Sequence, residues 1–363
     1  MEHLQRKKSM KNNLDINKIT AEVITDLAKS TAQTLYKKTL NYVTDIQKKE
    51  EVDFGYAYEN YLKYAKTIHE KIKTLLYRHA AKDIYSFYEC VGLTRNDEII
   101  DTSDVNNVLE IGNKIIISGT GGIGKSVMMK HFFLNVLQNT NYVPILIELR
   151  GLNEYDEKSV DLIDYIYSTM EKLRFKLERK YFDYSLETGC YVILLDGFDE
   201  VKNEISNQVT SQIFNLSEKY PDNHYILSSR PLDEFVGWNQ FEELYSNPLS
   251  KEQALSLIKK IEYDQNIKEK FYKELDEYLY DKYENDYLIL EEDLHKLTSR
   301  YTKIDAYTKV HFVGCELEND DIYRNFLEKF ALTSTKEVDS YYVKVKMQKQ
   351  DLNLLHDLIV LSD

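Results

Sequence analysis

Proline is almost missing from this chain: four residues in 363, and all four (Pro144, Pro221, Pro231, Pro248) lie in one central window. Glycine is nearly as scarce, and nine of its twelve residues fall between Gly112 and Gly237. So little of either excludes collagen-like and Pro/Gly low-complexity chains. It also leaves long flanks without helix breakers around a turn-rich middle third. The three cysteines (Cys90, Cys190, Cys315) are far apart, odd in number and in no CxxC spacing. They supply no zinc or disulfide framework and suit a reducing, cytoplasmic location. No apolar run nears the roughly 20 residues that span a bilayer, so no membrane contact is expected. The basic N-terminus is followed by no apolar core of the kind a signal peptide carries. An excess of base is lacking too. The formal charge of -14 argues against a protein that coats nucleic acid through its whole surface.

What is present is enough for a packed core: 43% of residues are hydrophobic and 30% charged. At this length two or three domains are expected. The acid is uneven. Residues 274–293 hold nine carboxylates against Lys282, whereas residues 1–13 hold Arg6, Lys7, Lys8 and Lys11 against Glu2. Solvated faces account for both patches; the basic N-terminus is the one place where nucleic acid would find a foothold.

Helical periodicity runs from Leu14 to about Ile46 through Ile16, Ile19, Val23 and Leu27, and continues at Leu40, Val43 and Ile46. Gly55 then predicts an interruption. A second helix is expected from Tyr56 to about His79, with a Tyr61, Tyr64, Ile68, Ile72, Leu75 stripe. Four short apolar runs follow: Lys114–Ser118, Val143–Leu149, Tyr191–Asp196 and His224–Ser229. Apolar on both faces and separated by helix-length segments (125–138, 159–184, 204–219), they read as parallel strands in a covered sheet. After Pro248 the strands stop. Ser250 with Gln253 predicts a capping box opening a helix with Ala254, Leu257, Ile258 and Ile261 on one face. A further helix from about Ile267 carries Phe271, Leu275 and Leu279. Residues 318–332 and 350–361 read as helical, and 341–347 alternates like a strand. The division that results is a helical arm or effector (1–54), a helical lead-in (55–107), a core (108–248), a helical domain (249–300) and a small α/β region (301–363).

The chemistry sits in three places. Gly119-Thr120-Gly121-Gly122-Ile123-Gly124-Lys125-Ser126 matches G-x-x-x-x-G-K-[ST] between a predicted strand and a predicted helix. Its glycines let backbone N–H groups wrap a phosphate, and the helix adds its positive end. Lys125 is expected to reach the β- and γ-phosphates, and Ser126 to ligate magnesium. Asp196 ends the third strand, where a carboxylate holds magnesium, usually through water. Asp199 or Glu200, after a Gly-Phe turn, is expected to polarise the attacking water, and spacing does not choose between them. Arg230, closing the fourth strand, is placed to sense the γ-phosphate. Arg150, at the end of the second, is a further candidate. His69 and His79 have no Cys, Asp or Glu in ligand or triad spacing.

Together these segments resemble a NACHT domain, the signalling NTPase of the STAND class. The resemblance is carried by the glycine loop, Pro144-Ile-Leu-Ile-Glu-Leu-Arg150, Leu194-Leu-Asp-Gly-Phe-Asp-Glu200 and Ser228-Ser-Arg-Pro231. It covers roughly residues 60 to 262, with Lys73–Tyr77 and Ile84–Tyr88 similar to the lead-in of prokaryotic members. It implies an α/β fold: a five-stranded parallel P-loop sheet covered by helices, with an N-terminal helical region and a mostly helical C-terminal region. It implies ATP or ADP with Mg2+ as the bound groups. It also implies further copies of the same chain and a phage or host trigger as partners, in prokaryotic defence against phage. No Pro-Leu-rich helix, winged-helix His or sensor array follows residue 262, and no proline follows Pro248 to contact adenine. A short-tailed member or a piece of a longer protein is therefore expected.

The sequence thus predicts a nucleotide-driven switch with slow ATP hydrolysis coupled to oligomerisation. The N-terminal helices fit an effector, an oligomerisation arm or a clamp on the core. Three other functions fit the same motifs: an ATP-driven remodeller of nucleic acid, a scaffold that holds nucleotide without turnover, and a small-molecule kinase. The acidic balance counts against the first, and no phosphate-acceptor pocket is legible for the last.

Overall fold

The computed structural model describes residues 19–40, 48–73, 80–155, 160–262, 265–274 and 276, with the strand fragments Glu316–Leu317 and Lys346–Met347. The basic N-terminus, nearly all of the acidic block and the helices expected at 318–332 and 350–361 lie outside the described residues, as do His79, Leu75 and Leu279. Of the expected 341–347 strand only Lys346–Met347 is described. The chain divides into two compact units, one of residues 1–119 and 124–260, the other of 120–123 and 261–363.

The first unit opens with helices α1 (Ala21–Leu40) and α2 (Lys48–His69), which pack against each other. The Thr20 hydroxyl accepts the Val23 amide at 3.3 Å at the start of α1; the parts of the expected helix at 14–18 and 41–46 lie outside the described residues. Gly55 does not interrupt. It lies within α2, and a methyl group there would touch the Ala32 Cβ of α1 at 3.9 Å, so a small residue suits the contact between the two helices. The buried face of α2 is Phe54, Ala57, Tyr58, Tyr61, Leu62, Ala65 and His69. Ile68, expected in the stripe, is 44% exposed. The helix ends at His69, ten residues early, because the chain turns into β1 (Lys71–Ile72), paired antiparallel with β2 (Lys82–Asp83). The lead-in is not helical throughout either. It contains a hairpin of β3 (Leu93–Arg95) and β4 (Glu98–Ile100), followed by a single helical turn, α3 (Asn106–Leu109).

Then come β5 (Lys114–Ser118), α4 (Lys125–Asn139), β6 (Val143–Glu148), α5 (Leu162–Lys172), α6 (Arg179–Glu187), β7 (Tyr191–Asp196), α7 (Asn203–Lys219), β8 (His224–Ser229), β9 (Glu242–Ser246) and α8 (Lys251–Lys260). They form one seven-stranded sheet in the order β4-β3-β9-β5-β8-β7-β6, flanked by helices. Strands β9, β5, β8, β7 and β6 are parallel, and the β3–β4 hairpin adds two antiparallel edge strands. The five parallel strands are one more than the four apolar runs and equal the number that the resemblance implied, while the whole sheet has seven. The chain is an α/β protein with a mostly parallel sheet.

The four apolar runs are strands because both of their faces are covered: β7 is buried from Tyr191 to Leu195 and β8 throughout. Helix α4 is buried from His131 to Leu137, on more than one face. It packs on the sheet and also contacts α1 and α2. Its polar residues are met by the 102–105 loop. Asn135 accepts the Val105 amide at 3.0 Å and donates to the Ser103 carbonyl at 2.7 Å, and His131 pairs with the Thr102 carbonyl at 2.8 Å. Tyr61 of α2 donates to the carbonyl of Pro144 at 2.9 Å on β6, the edge strand where a proline is tolerated. The hydroxyls of Tyr58 and Tyr191 lie 2.7 Å apart. Each such aromatic removes enough surface from water to contribute about 2 kcal/mol, so the N-terminal helices are part of this core. The expected boundary at residue 54 falls inside α2.

Ser250 and Gln253 form the capping box as read: the Gln253 backbone amide donates to the Ser250 hydroxyl at 3.2 Å, and the Ser250 backbone amide donates to the Gln253 side-chain Oε1 at 2.8 Å. In the second unit, α9 (Gln265–Glu274) buries Phe271, and β10 (Glu316–Leu317) pairs in parallel with β11 (Lys346–Met347). Among the described residues no helix is long and apolar enough to cross a membrane.

Candidate functional site

Parallel strands bring the segments that follow their C-terminal ends to one edge of a sheet, which is where open α/β folds bind ligands. Here those segments are Gly119 after β5, the 3-10 turn Leu149–Glu154 after β6, the 3-10 turn Phe198–Glu200 after β7, and Arg230 after β8. Strand order decides which of them meet. Because β8 lies between β5 and β7, its end stands between Gly119 and Asp196. Gly119 accordingly donates its N–H to the Ser229 carbonyl at 3.2 Å on one side of β8. On the other side Ser228 joins β7.

The glycine loop is shaped by positive φ angles, 79° at Gly122 and 98° at Gly124, which side-chain-bearing residues adopt only under strain. Helix α4 begins directly afterwards, at Lys125. Its ammonium donates to the Gly119 carbonyl at 2.6 Å. Burial lowers the pKa of Lys125, while the Asp199 carboxylate opposes that shift more than any other group, with Asp196 and Glu200 adding to it. Thr120, Gly121, Gly122 and Ile123 belong to the second unit, where Ile123 N–H meets the Thr120 carbonyl at 3.4 Å.

Asp196 is held by two serines. Its Oδ1 accepts the Ser228 hydroxyl at 2.5 Å, and the same hydroxyl accepts the Gly197 amide at 2.9 Å. Ser126, from the first turn of α4, also hydrogen-bonds the carboxylate. Burial raises the pKa of Asp196, and the two serine contacts pull it back. Ser228 went unassigned in the sequence, although it belongs to the Ser-Ser-Arg-Pro run; only the proximity of β7 and β8 reveals its partner.

The two acids that follow are not equivalent. Asp199 has both oxygens engaged by Arg230, Oδ1 by the backbone N–H and Oδ2 by Nε, each at 3.0 Å. Glu200 is half exposed, and its carboxylate lies 4.0 Å from the Arg150 guanidinium. Arg150 pairs more closely with Glu148, at 2.7 Å. Burial raises the pKa of Glu200, Arg150 lowers it, and Asp199 and Asp196 raise it further. Gly197 has a φ of 79°, and a methyl group there would stand 3.3 Å from the Glu200 Cδ. The small residue therefore both makes the turn and leaves space for the Glu200 carboxyl.

Gly119, Gly124, Lys125, Ser126, Asp196, Asp199, Glu200 and Arg230 are thus assembled within the first unit. The set suits a magnesium-bound polyphosphate. Ser126 and Asp196 offer a pair of hard oxygen donors, and no cluster of three or more His, Cys, Asp or Glu that would cage a metal by itself exists among the described residues. That is the donor set of an ion that completes its shell with water and substrate phosphates. Lys125 and the amides at the start of α4 face the same place with positive charge.

No protein-family model matches the chain, and no curated protein matches it. Solved structures that align with it include that of C. elegans PCH-2, at 12% identity over 84% of this chain and 69% of that one. The TM-score is 0.29, a likeness too slight to bear on function.

Proposed function

We propose that the chain is an ATP- and ADP-dependent molecular switch of the NACHT type within the STAND class. The observation that carries this reading is the joining of Ser126 and Asp196 beside Lys125, at the ends of strands whose sequences carry the glycine loop and the Asp-Gly-Phe-Asp-Glu run. Lys125 and the amides at the start of α4 hold the β- and γ-phosphates. Ser126 and Asp196 hold Mg2+, with Ser228 fixing the carboxylate. Bound there, Mg2+ neutralises charge on the phosphate oxygens. Arg230 senses the γ-phosphate from the end of β8.

Hydrolysis joins a water oxygen to the γ-phosphorus and breaks its bond to the β–γ bridging oxygen, releasing ADP and phosphate. Asp199 or Glu200 orients that water and accepts its proton. Turnover is slow, because a switch is useful only while its ATP state persists. Exchange of ADP for ATP drives self-association, in defence against phage in a prokaryotic cell.

Lys125→Ala tests the site. Nucleotide affinity should fall below detection in a titration with a fluorescent ATP analogue, and undiminished affinity would overturn the assignment. The switch itself is read from mass measurements with ADP and with a non-hydrolysable ATP analogue. A larger assembly is expected with the analogue; identical masses would refute the coupling.

A further inference from the structure

Asn153 carries no motif, yet it ties two of the strand-end turns together. It lies in the 3-10 turn Leu149–Glu154 after β6. Its side-chain amide donates to the Glu200 carbonyl and its side-chain oxygen accepts the Lys202 N–H, both at 2.8 Å. The Lys202 ammonium returns a third bond, to the Asn153 carbonyl, at 3.2 Å. One side chain thus offers a donor and an acceptor to backbone groups two residues apart, as a neighbouring strand would. From inside the turn, the Glu200 N–H bonds to the Gly197 carbonyl and the Val201 N–H to the Phe198 carbonyl, each at 3.1 Å. The backbone at Glu200 is therefore fixed from both sides.

We propose that Asn153 is a positioning residue for hydrolysis: by locking the backbone of Glu200–Lys202, it holds the Glu200 carboxylate over Gly197 to orient the attacking water. This rests on the reading above that the chain hydrolyses ATP, and it resolves the choice between the two acids. Asp199 gives both carboxylate oxygens to Arg230 and is the partner of that arginine. Glu200 keeps its lone pairs available, since the nearest cation among the described residues, Arg150, is 4.0 Å away. A misplacement of about 1 Å at a group that orients a reactant costs up to ~100-fold in rate, so anchoring two residues of backbone matters.

The test is a double-mutant cycle on the full chain with Asn153→Ala and Glu200→Gln. Asn153→Ala alone should lower kcat about tenfold, with KM and the affinity for a fluorescent ATP analogue within about twofold of the unmodified protein. In the Glu200→Gln background, adding Asn153→Ala should change kcat by less than about twofold. Asn153→Asp keeps the acceptor for Lys202 but loses the donor to Glu200, and should lower kcat likewise with the melting transition retained. A wild-type kcat in Asn153→Ala, or an undiminished tenfold loss in the Glu200→Gln background, would overturn the assignment while leaving Lys125-dependent hydrolysis intact. Absence of hydrolysis in the unmodified protein would instead overturn the ATPase reading, and this role with it.

Discussion

His69→Phe should make the protein more stable, although it replaces a buried polar residue. His69 closes α2 and packs against Phe133 of α4, with ring centroids 4.5 Å apart and ring planes tilted by 56°. It is buried, and neither ring nitrogen has a hydrogen-bond partner among the described residues. An unpartnered buried polar group costs about 1–3 kcal/mol, which a phenyl ring does not incur. Burial, aided by the nearby Lys130 ammonium, pushes the histidine pKa down from 6.5 to about 3. The unfolded chain therefore binds this proton near pH 6.5, and the folded chain does not until about pH 3. Stability is fully present above pH 6.5 and is lost progressively as the pH falls towards 3. Between pH 7.5 and 5 the loss from this one group is ~2 kcal/mol. Urea unfolding across that range should show a gain of about 1–3 kcal/mol for His69→Phe at pH 7.5 and a slope shallower by about that ~2 kcal/mol. His131, also pushed down by burial, to about 4, contributes equally to both proteins. Parallel stability–pH curves for the two would refute the burial of an unpartnered His69.

Two more substitutions probe the frame and the turn. Tyr61→Phe removes the bond to the Pro144 carbonyl from a fully buried site. It should cost about 1–2 kcal/mol in urea unfolding, and an unchanged midpoint would show that the hydroxyl does not brace the β6 edge. Gly197→Ala places a methyl group 3.3 Å from the Glu200 Cδ at a φ of 79°. It should lower kcat for ATP about tenfold while nucleotide affinity stays within about twofold, and unaltered turnover would contradict the role of that turn.

The elements legible in the sequence were those whose signal is local. Buried strands on both faces leave unbroken apolar runs, so β5, β6, β7 and β8 could be read without a partner in view. Strand β9 was missed because Glu242-Glu243-Leu244-Tyr245-Ser246 is mostly polar. Only Leu244 and Ser246 are buried, yet its backbone pairs β5 with β3, and Glu243 accepts the Ser118 hydroxyl. The β3–β4 hairpin was missed as well, inside a stretch expected to be helical, although its turn residues suit it: Asn96 and Asp97 adopt φ of 46° and 67°, the twist of a two-residue hairpin turn, and Asn and Asp tolerate that region best. Gly55 misled for the opposite reason. A glycine's cost of about 1 kcal/mol in a helix is outweighed when the helix face is buried.

The glycine loop, the carboxylate at the end of β7 and the arginine at the end of β8 are legible from the residues alone. A loop of positive φ angles needs glycines that are written residue by residue, and a covered strand needs nothing but apolar side chains. Tertiary structure decided what those residues touch. Ser228 reaches Asp196 only because β8 lies beside β7; Asp199 is claimed by Arg230; and Asn153 reaches Glu200 across forty-seven residues of chain. Such partners depend on strand order and register, which are set by the packing of the whole sheet and leave no trace in local spacing.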